Sequence, residues 1–246
     1  MNNQFGGYLT RLKTNPTKPP GYEAKPNSYF EQCRSEMLAY VPEHCQKVLD
    51  VGCGRGNFGK SLKQIRSIEV WGIEPVASAA AEAATKLDHV IEGIFAPESD
   101  LPQGSFDAIF FNDVLEHLVN PAAALLLAAT LLKPGGVVIA SIPNIRHFQA
   151  QWEVVVRGEW PERDSGIFDR THLRFFTRKS IAKLFAASGF AVEKIEGINS
   201  YWWIEGSGEP SRWIFFKIIN LLTFRAIEDM KYLQFATVAR VAKKSL

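Results

Sequence analysis

Four groups of residues could do chemistry. The first is Asp50-Val51-Gly52-Cys53-Gly54-Arg55-Gly56, a carboxylate followed by alternate glycines. Glycine accepts positive φ and lets a ligand come close to the backbone. A dinucleotide site needs G-x-G-x-x-G and a phosphate loop G-x-x-x-x-G-K-[ST]. Here the spacing is G-x-G-x-G, with no Lys-Ser or Lys-Thr pair at the phosphate-loop position. Asp50 would oppose a phosphate and suit a cationic ligand. The second group is Glu74, an acid at the end of a second apolar run, about 20 residues on, where a carboxylate can accept from two ribose hydroxyls. The third is Asp169-Arg170-Thr171-His172-Leu173-Arg174, set between aromatics. A histidine titrates near neutrality and can take a hydroxyl proton, so His172 is the first candidate base and His147 the second. The plainer reading is that this string fastens a lid by satisfying buried backbone groups. The fourth group is Asp113, Glu116 and His117, which share a face at the start of a helical turn. Two carboxylates and an imidazole can hold a divalent ion, but they can equally brace a strand end, and no metal is expected.

The elements that must position these groups follow from periodicity. Val48 to Asp50 reads as a strand, and Phe58, Leu62 and Ile65 recur at helical spacing behind the glycine turn. Further strands are expected at Glu69–Glu74, His89–Glu92, up to Asn112, Val137–Ile142, Ala191–Ile198 and Tyr232–Val241. Helices are expected at Ser28–Tyr40, Ala77–Leu87, Ala122–Leu132, Arg178–Ser188 (capped by Thr177) and Ser211–Phe224. Apolar strands alternating with helices imply a parallel sheet covered on both faces. Ligands of such sheets bind beyond the carboxyl ends of the strands. Asp50, Glu74 and Asn112 all lie at such ends.

Asp50 to Gly56 resembles motif I of the class I S-adenosylmethionine-dependent methyltransferases. Phe106 to Asn112 resembles motif II of that family, and Leu132-Lys133-Pro134-Gly135-Gly136 resembles motif III. The resemblance implies a Rossmann-like α/β fold. Its sheet has seven strands, six parallel and one antiparallel, flanked by helices, with an N-terminal helical cap and an acceptor lobe that is inserted and C-terminal. It also implies S-adenosyl-L-methionine as cofactor and S-adenosyl-L-homocysteine as product. The expected cofactor residues are Tyr29, Arg34, Asp50, Gly52, Cys53, Gly54, Glu74, Pro75, Ile94, Phe95, Asn112, Asp113 and His117. Tyr29 and Arg34 match residues that relatives place near the methionine moiety. The family's Asp after Gly93 is replaced by Ile94, so adenine would be held by backbone groups and the apolar walls of Ile94 and Phe95.

Gly166 to Thr177 resembles a subgroup associated with glycan and polysaccharide assembly and, more loosely, ubiquinone-biosynthesis O-methyltransferases. That implies O-methylation of a sugar or glycan-precursor hydroxyl, with Asn144, Asp169, Arg170 and Arg174 on the acceptor. The runner-up acceptor is a phenolic or other small natural product. A non-catalytic scaffold and an NAD-dependent oxidoreductase are the rivals from other classes.

The chain has 246 residues, 46% of them hydrophobic, and a formal net charge of +2. That size and composition suit one α/β domain over residues 28–246 behind a proline-rich leader at 1–27. Lid segments are expected at about 144–177 and 199–225. The charge gives no field for nucleic acid. Cys33, Cys45 and Cys53 form no metal-type pair, and no signal peptide or membrane-length apolar run is evident. A cytoplasmic enzyme acting on a small molecule or glycan is expected, without stable membrane insertion. A homodimer is left open.

Overall fold

The computed structural model describes Phe30, residues 33–200, Leu221 and residues 227–242. Seven strands lie in one sheet: β1 Lys47–Val51, β2 Glu69–Glu74, β3 His89–Glu92, β4 Phe106–Asn112, β5 Leu132–Pro143, β6 Phe190–Ser200 and β7 Tyr232–Val241. Their order is β3-β2-β1-β4-β5-β7-β6. β7 runs antiparallel to both β5 and β6, and the remaining pairs are parallel. The expected seven-stranded mixed sheet is therefore present. The chain moves outward from β1 to β3, then returns to β4 on the other side of β1. The resulting crevice opens at the carboxyl ends of β1 and β4.

Alternation along the central strands feeds two cores, because successive side chains leave a strand on opposite faces. Leu49, Ile109, Phe111, Val138 and Ala140 pack on one face with Leu125 and Ala128 of α3 (Pro121–Leu131) and with Ile181 and Phe185 of α5 (Arg178–Ala187). Val48, Val70, Phe110 and Ile139 pack on the other face with Phe58 and Leu62 of α1 (Asn57–Ile65) and with Ala83 of α2 (Ala77–Ala83). Phe185 is fully buried, and burial of such a side chain contributes roughly 1.5–3 kcal/mol. Thr177 caps α5 by accepting from Ser180 N, and the Ser180 hydroxyl accepts from Thr177 N in return.

Several boundaries differ from expectation. Ser35–Tyr40 of the expected cap forms a 3-10 helix, and Arg34 before it takes a left-handed φ of 47°. Ile65, the last residue of α1, is exposed. The Gly135 turn (φ 82°) loops out of β5, so that β4 pairs with Leu132 and next with Val137. The segment 144–177, expected to form a lid, contains the short α4 (Phe148–Gln151), which runs into a π-type turn at Trp152–Val156. Tyr29 and the aromatic segment after Ser200, with the helix expected at Ser211–Phe224, lie outside the described residues apart from Leu221. Among the described residues no helix is long and apolar enough to cross a membrane.

Candidate active site

The glycine turn is built as its spacing requires. Gly52, Gly54 and Gly56 all have positive φ. A Cβ on Gly52 would stand 2.8 Å from Val114 Cγ2, and one on Gly54 3.2 Å from the Phe30 carbonyl oxygen. Any larger residue would be strained and would fill the cradle. Gly52 N and Cys53 N both donate to Ile73 O, which ties the turn to β2. Arg55 N donates to Phe30 O, and this bond holds Phe30 against the turn.

Above the turn is a cavity of about 340 Å³, within the usual range for a small-molecule site. Asp50, Gly52, Cys53, Gly54 and Asn112 line one end, and Glu116, His117, Asp169 and His172 line the other. Asp50 is buried, and its carboxyl is pushed up to about 8, first by loss of water and next by the charge of Glu74. The Asn112 amide beside it offsets part of this, without a hydrogen bond of normal length. Asp50 Oδ1 and both polar side-chain atoms of Asn112 are buried and have no hydrogen-bond partner among the described residues. Leaving such groups unpaired costs free energy, so this end is built to meet a polar ligand. Burial also raises the Cys53 thiol, which is inert as a nucleophile.

The other end is a cluster of acids and imidazoles. Glu116 is almost fully buried, its two oxygens have no hydrogen-bond partner among the described residues, and burial pushes its carboxyl up to about 8. His172 Nε2 lies 3.9 Å from Glu116 Oε1, and the His172 ring stands edge-on to that of His117 at 4.6 Å. His172 Nδ1 is 3.0 Å from Ile167 O, and His117 Nδ1 is 3.1 Å from Thr171 O. A carbonyl oxygen only accepts, so these contacts place a proton on each Nδ1 and an acceptor lone pair on each neutral Nε2. Asp169 Oδ1 accepts from both the amide and the hydroxyl of Thr171, and this holds the loop that carries His172. Ligand atoms of Glu116, His117 and His172 lie within 4.8 Å of one another. The trio weighed for a metal from sequence contained Asp113 where the structure brings in His172.

Other expected residues stand apart from the cavity. Asn144 is fully buried, with its amide donating to Asp229 O and Tyr232 O and its oxygen accepting from Arg146 N. It has no donor left for an acceptor molecule. His147 is buried at the start of α4, outside the cavity lining, so the second base candidate has no path to a ligand there. Arg170 reaches outward to Asp164, and Arg174 donates to Val119 O. Glu74 is buried below the turn and accepts from Gly54 N and Val76 N. Pro75, Ile94 and Phe95 likewise do not line the cavity, and Phe95 packs edge-on against Phe111. Sequence reasoning missed Asn199 and Gln234, which do line it. A hint was available, since Gln234 is an amide between Leu233 and Phe235 in an otherwise apolar strand start.

The residues present fit S-adenosylmethionine: an acid and an amide with unmet polar atoms, a glycine cradle, and a cavity of suitable size. A family model described as a methyltransferase domain matches residues 14–195. A ubiquinone biosynthesis O-methyltransferase of Psychrobacter cryohalolentis is 29% identical over 211 residues, covering 80% of this chain and 79% of that protein. The protein of the same description from Azoarcus sp. is 32% identical over 152 residues, 57% of this chain and 63% of that one. A SAM-dependent methyltransferase from Archaeoglobus fulgidus superposes with a TM-score of 0.61 at 18% identity, over 96% of this chain and 99% of that one, which shows a common fold. With three motifs on one turn and two strands of the expected sheet, the chain belongs to the methyltransferase-domain family and is a class I S-adenosylmethionine-dependent methyltransferase.

Proposed function

We propose that this enzyme methylates a hydroxyl oxygen of a sugar or glycan precursor, with His172 as the base. The observation that carries the reading is His172 itself: its Nδ1 faces a carbonyl, and its ring lines the same cavity as Asp50 and Asn112. The cofactor, when bound, supplies a methyl group already activated by its cationic sulfur. The chain then has to orient a nucleophile and remove a proton. In this reading Asp50, Gly52, Gly54 and Asn112 hold the cofactor, and His172 Nε2 takes the acceptor's hydroxyl proton. Kinship to O-methyltransferases supports oxygen as the target atom. Ser165, Glu116 and Asp169 beside His172 supply the polar lining that a polyhydroxylated acceptor needs.

A phenolic acceptor is the second reading, favoured by the ubiquinone-biosynthesis relatives. An acceptor panel separates the two. Purified enzyme and S-adenosylmethionine are incubated with nucleotide sugars, simple glycosides or catechols, and S-adenosylhomocysteine formation is measured. Turnover of sugars alone supports the first reading, and turnover of catechols alone replaces it with the second.

A further inference from the structure

Three non-glycine residues among the described chain have left-handed backbones: Arg34 (φ 47°), Asp113 (φ 55°) and Asn199 (φ 52°). They come from the N-terminal cap, the end of β4 and the end of β6, far apart in sequence. One side chain touches all three. Gln234 Nε2 donates to Asp113 Oδ1 at 2.7 Å, while Gln234 Oε1 accepts from Arg34 Nη1 at 3.1 Å and from Asn199 Nδ2 at 2.7 Å. Arg34 also pairs with Asp113. Asp113 is further fixed by the Ser141 hydroxyl, 2.9 Å away, and Asn199 by Glu36. Left-handed backbones at ordinary residues persist only where their surroundings over-determine them, and they gather at functional sites. These four residues all line the cavity.

We propose that Gln234 is a positioning residue for the cofactor's amino-acid end, holding Arg34 and Asp113 in place as a matched cation and anion. The inference rests on the reading that the cofactor occupies this cavity. An α-amino acid is a zwitterion, and an adjacent guanidinium and carboxylate complement its carboxylate and ammonium groups. The amide is suited to the task because it accepts from the cation with one atom and donates to the anion with the other. No charged or apolar side chain can do both.

The test compares two ligands that differ in that end. S-adenosylhomocysteine carries the amino-acid group, and 5′-methylthioadenosine lacks it. Gln234→Met keeps the length and removes all three polar contacts. Gln234→Glu keeps the acceptor and turns the donor into a repulsive oxygen. Calorimetric titration should show S-adenosylhomocysteine bound roughly tenfold or more weakly by both variants, the loss of about one charge-assisted hydrogen bond. Affinity for 5′-methylthioadenosine should be unchanged. Asn199→Ala, which removes one contact to Gln234 and leaves the amide in place, should weaken S-adenosylhomocysteine in the same selective way by a smaller factor. Equal weakening of both ligands would show that Gln234 only shapes the wall and would overturn the proposal, as would unchanged affinity for S-adenosylhomocysteine. Wild-type protein that bound neither ligand would instead remove the cofactor from this cavity, and the proposal with it.

Discussion

Glu74 and Gly54 are joined by a hydrogen bond of 3.0 Å from the Gly54 amide to Glu74 Oε2, across 20 residues of sequence. The other oxygen, Oε1, accepts from Val76 N at 3.0 Å. Both carboxylate oxygens thus accept from backbone amides. The acid expected to hold a ribose also clamps the glycine turn to the end of β2. Glu74→Gln should therefore do two things. One buried N–H would face an amide NH₂, which costs about 1–3 kcal/mol, so the melting temperature should fall. Affinity for S-adenosylmethionine should fall as well. A variant that melts like wild type and binds the cofactor normally would deny Glu74 both roles.

His172 is held by its loop in the tautomer that a base needs, with Nδ1 against Ile167 O and Nε2 toward Glu116. His172→Ala should lower turnover by roughly 10²–10⁴-fold and leave cofactor affinity nearly unchanged, as read by kinetics and by titration with S-adenosylmethionine. Near-normal turnover would take His172 out of the mechanism. Because Nε2 is assigned to a proton, chelation should leave turnover unchanged. Activity lost on chelation and restored by a divalent ion would give Glu116, His117 and His172 to a metal instead.

The fold was legible because its signals are local. Alternating apolar residues, glycine turns and a Thr177 cap lie within a few residues of what they determine. Asp50 and Asn112 could be placed at the cavity for a related reason, being polar side chains at the ends of β1 and β4. A polar residue just after β5, such as Asn144, looks like a ligand contact in sequence, and only the fold shows its amide donating to Tyr232 O at the start of β7. Gln234 was missed for the opposite reason. Its partners are 35, 121 and 200 residues away, a distance over which no spacing rule operates.

Glu116 makes stability depend on pH. Burial raises its pKa from 4.5 to about 8, with Asp169 adding to the shift and Arg34 opposing it. Between those two values the unfolded chain has lost the proton that the folded chain retains. The unfolded state therefore binds fewer protons, and stability falls as pH rises. The contribution is complete below about 4.5 and gone once pH has passed about 8. Glu116→Gln has no proton to lose. Its stability relative to wild type should climb between pH 5 and pH 8, by a difference on the order of a few kcal/mol that is read as a rise in relative melting temperature. A constant offset across that range would mean that Glu116 is ionised in the folded protein.

Asp50 links the same physics to the cofactor. With the cavity free of ligand its carboxyl is raised to about 8, first by burial and then by the nearby Glu74, so at pH 7 it is mostly protonated. A cationic ligand beside it favours the carboxylate, and binding should expel that proton. Calorimetric titration at pH 7 in buffers of different ionisation enthalpy should show an apparent binding enthalpy that varies with the buffer, with up to one proton released. Affinity should rise from pH 6 to about 8 and then level off, because above that range Asp50 is already ionised and nothing remains to expel. Asp50→Asn should bind more weakly and lose the buffer dependence. If S-adenosylmethionine binds wild-type protein with the same enthalpy in every buffer, Asp50 is already charged in the empty cavity, and the repulsion from Glu74 must be offset by polar contacts beyond Asn112.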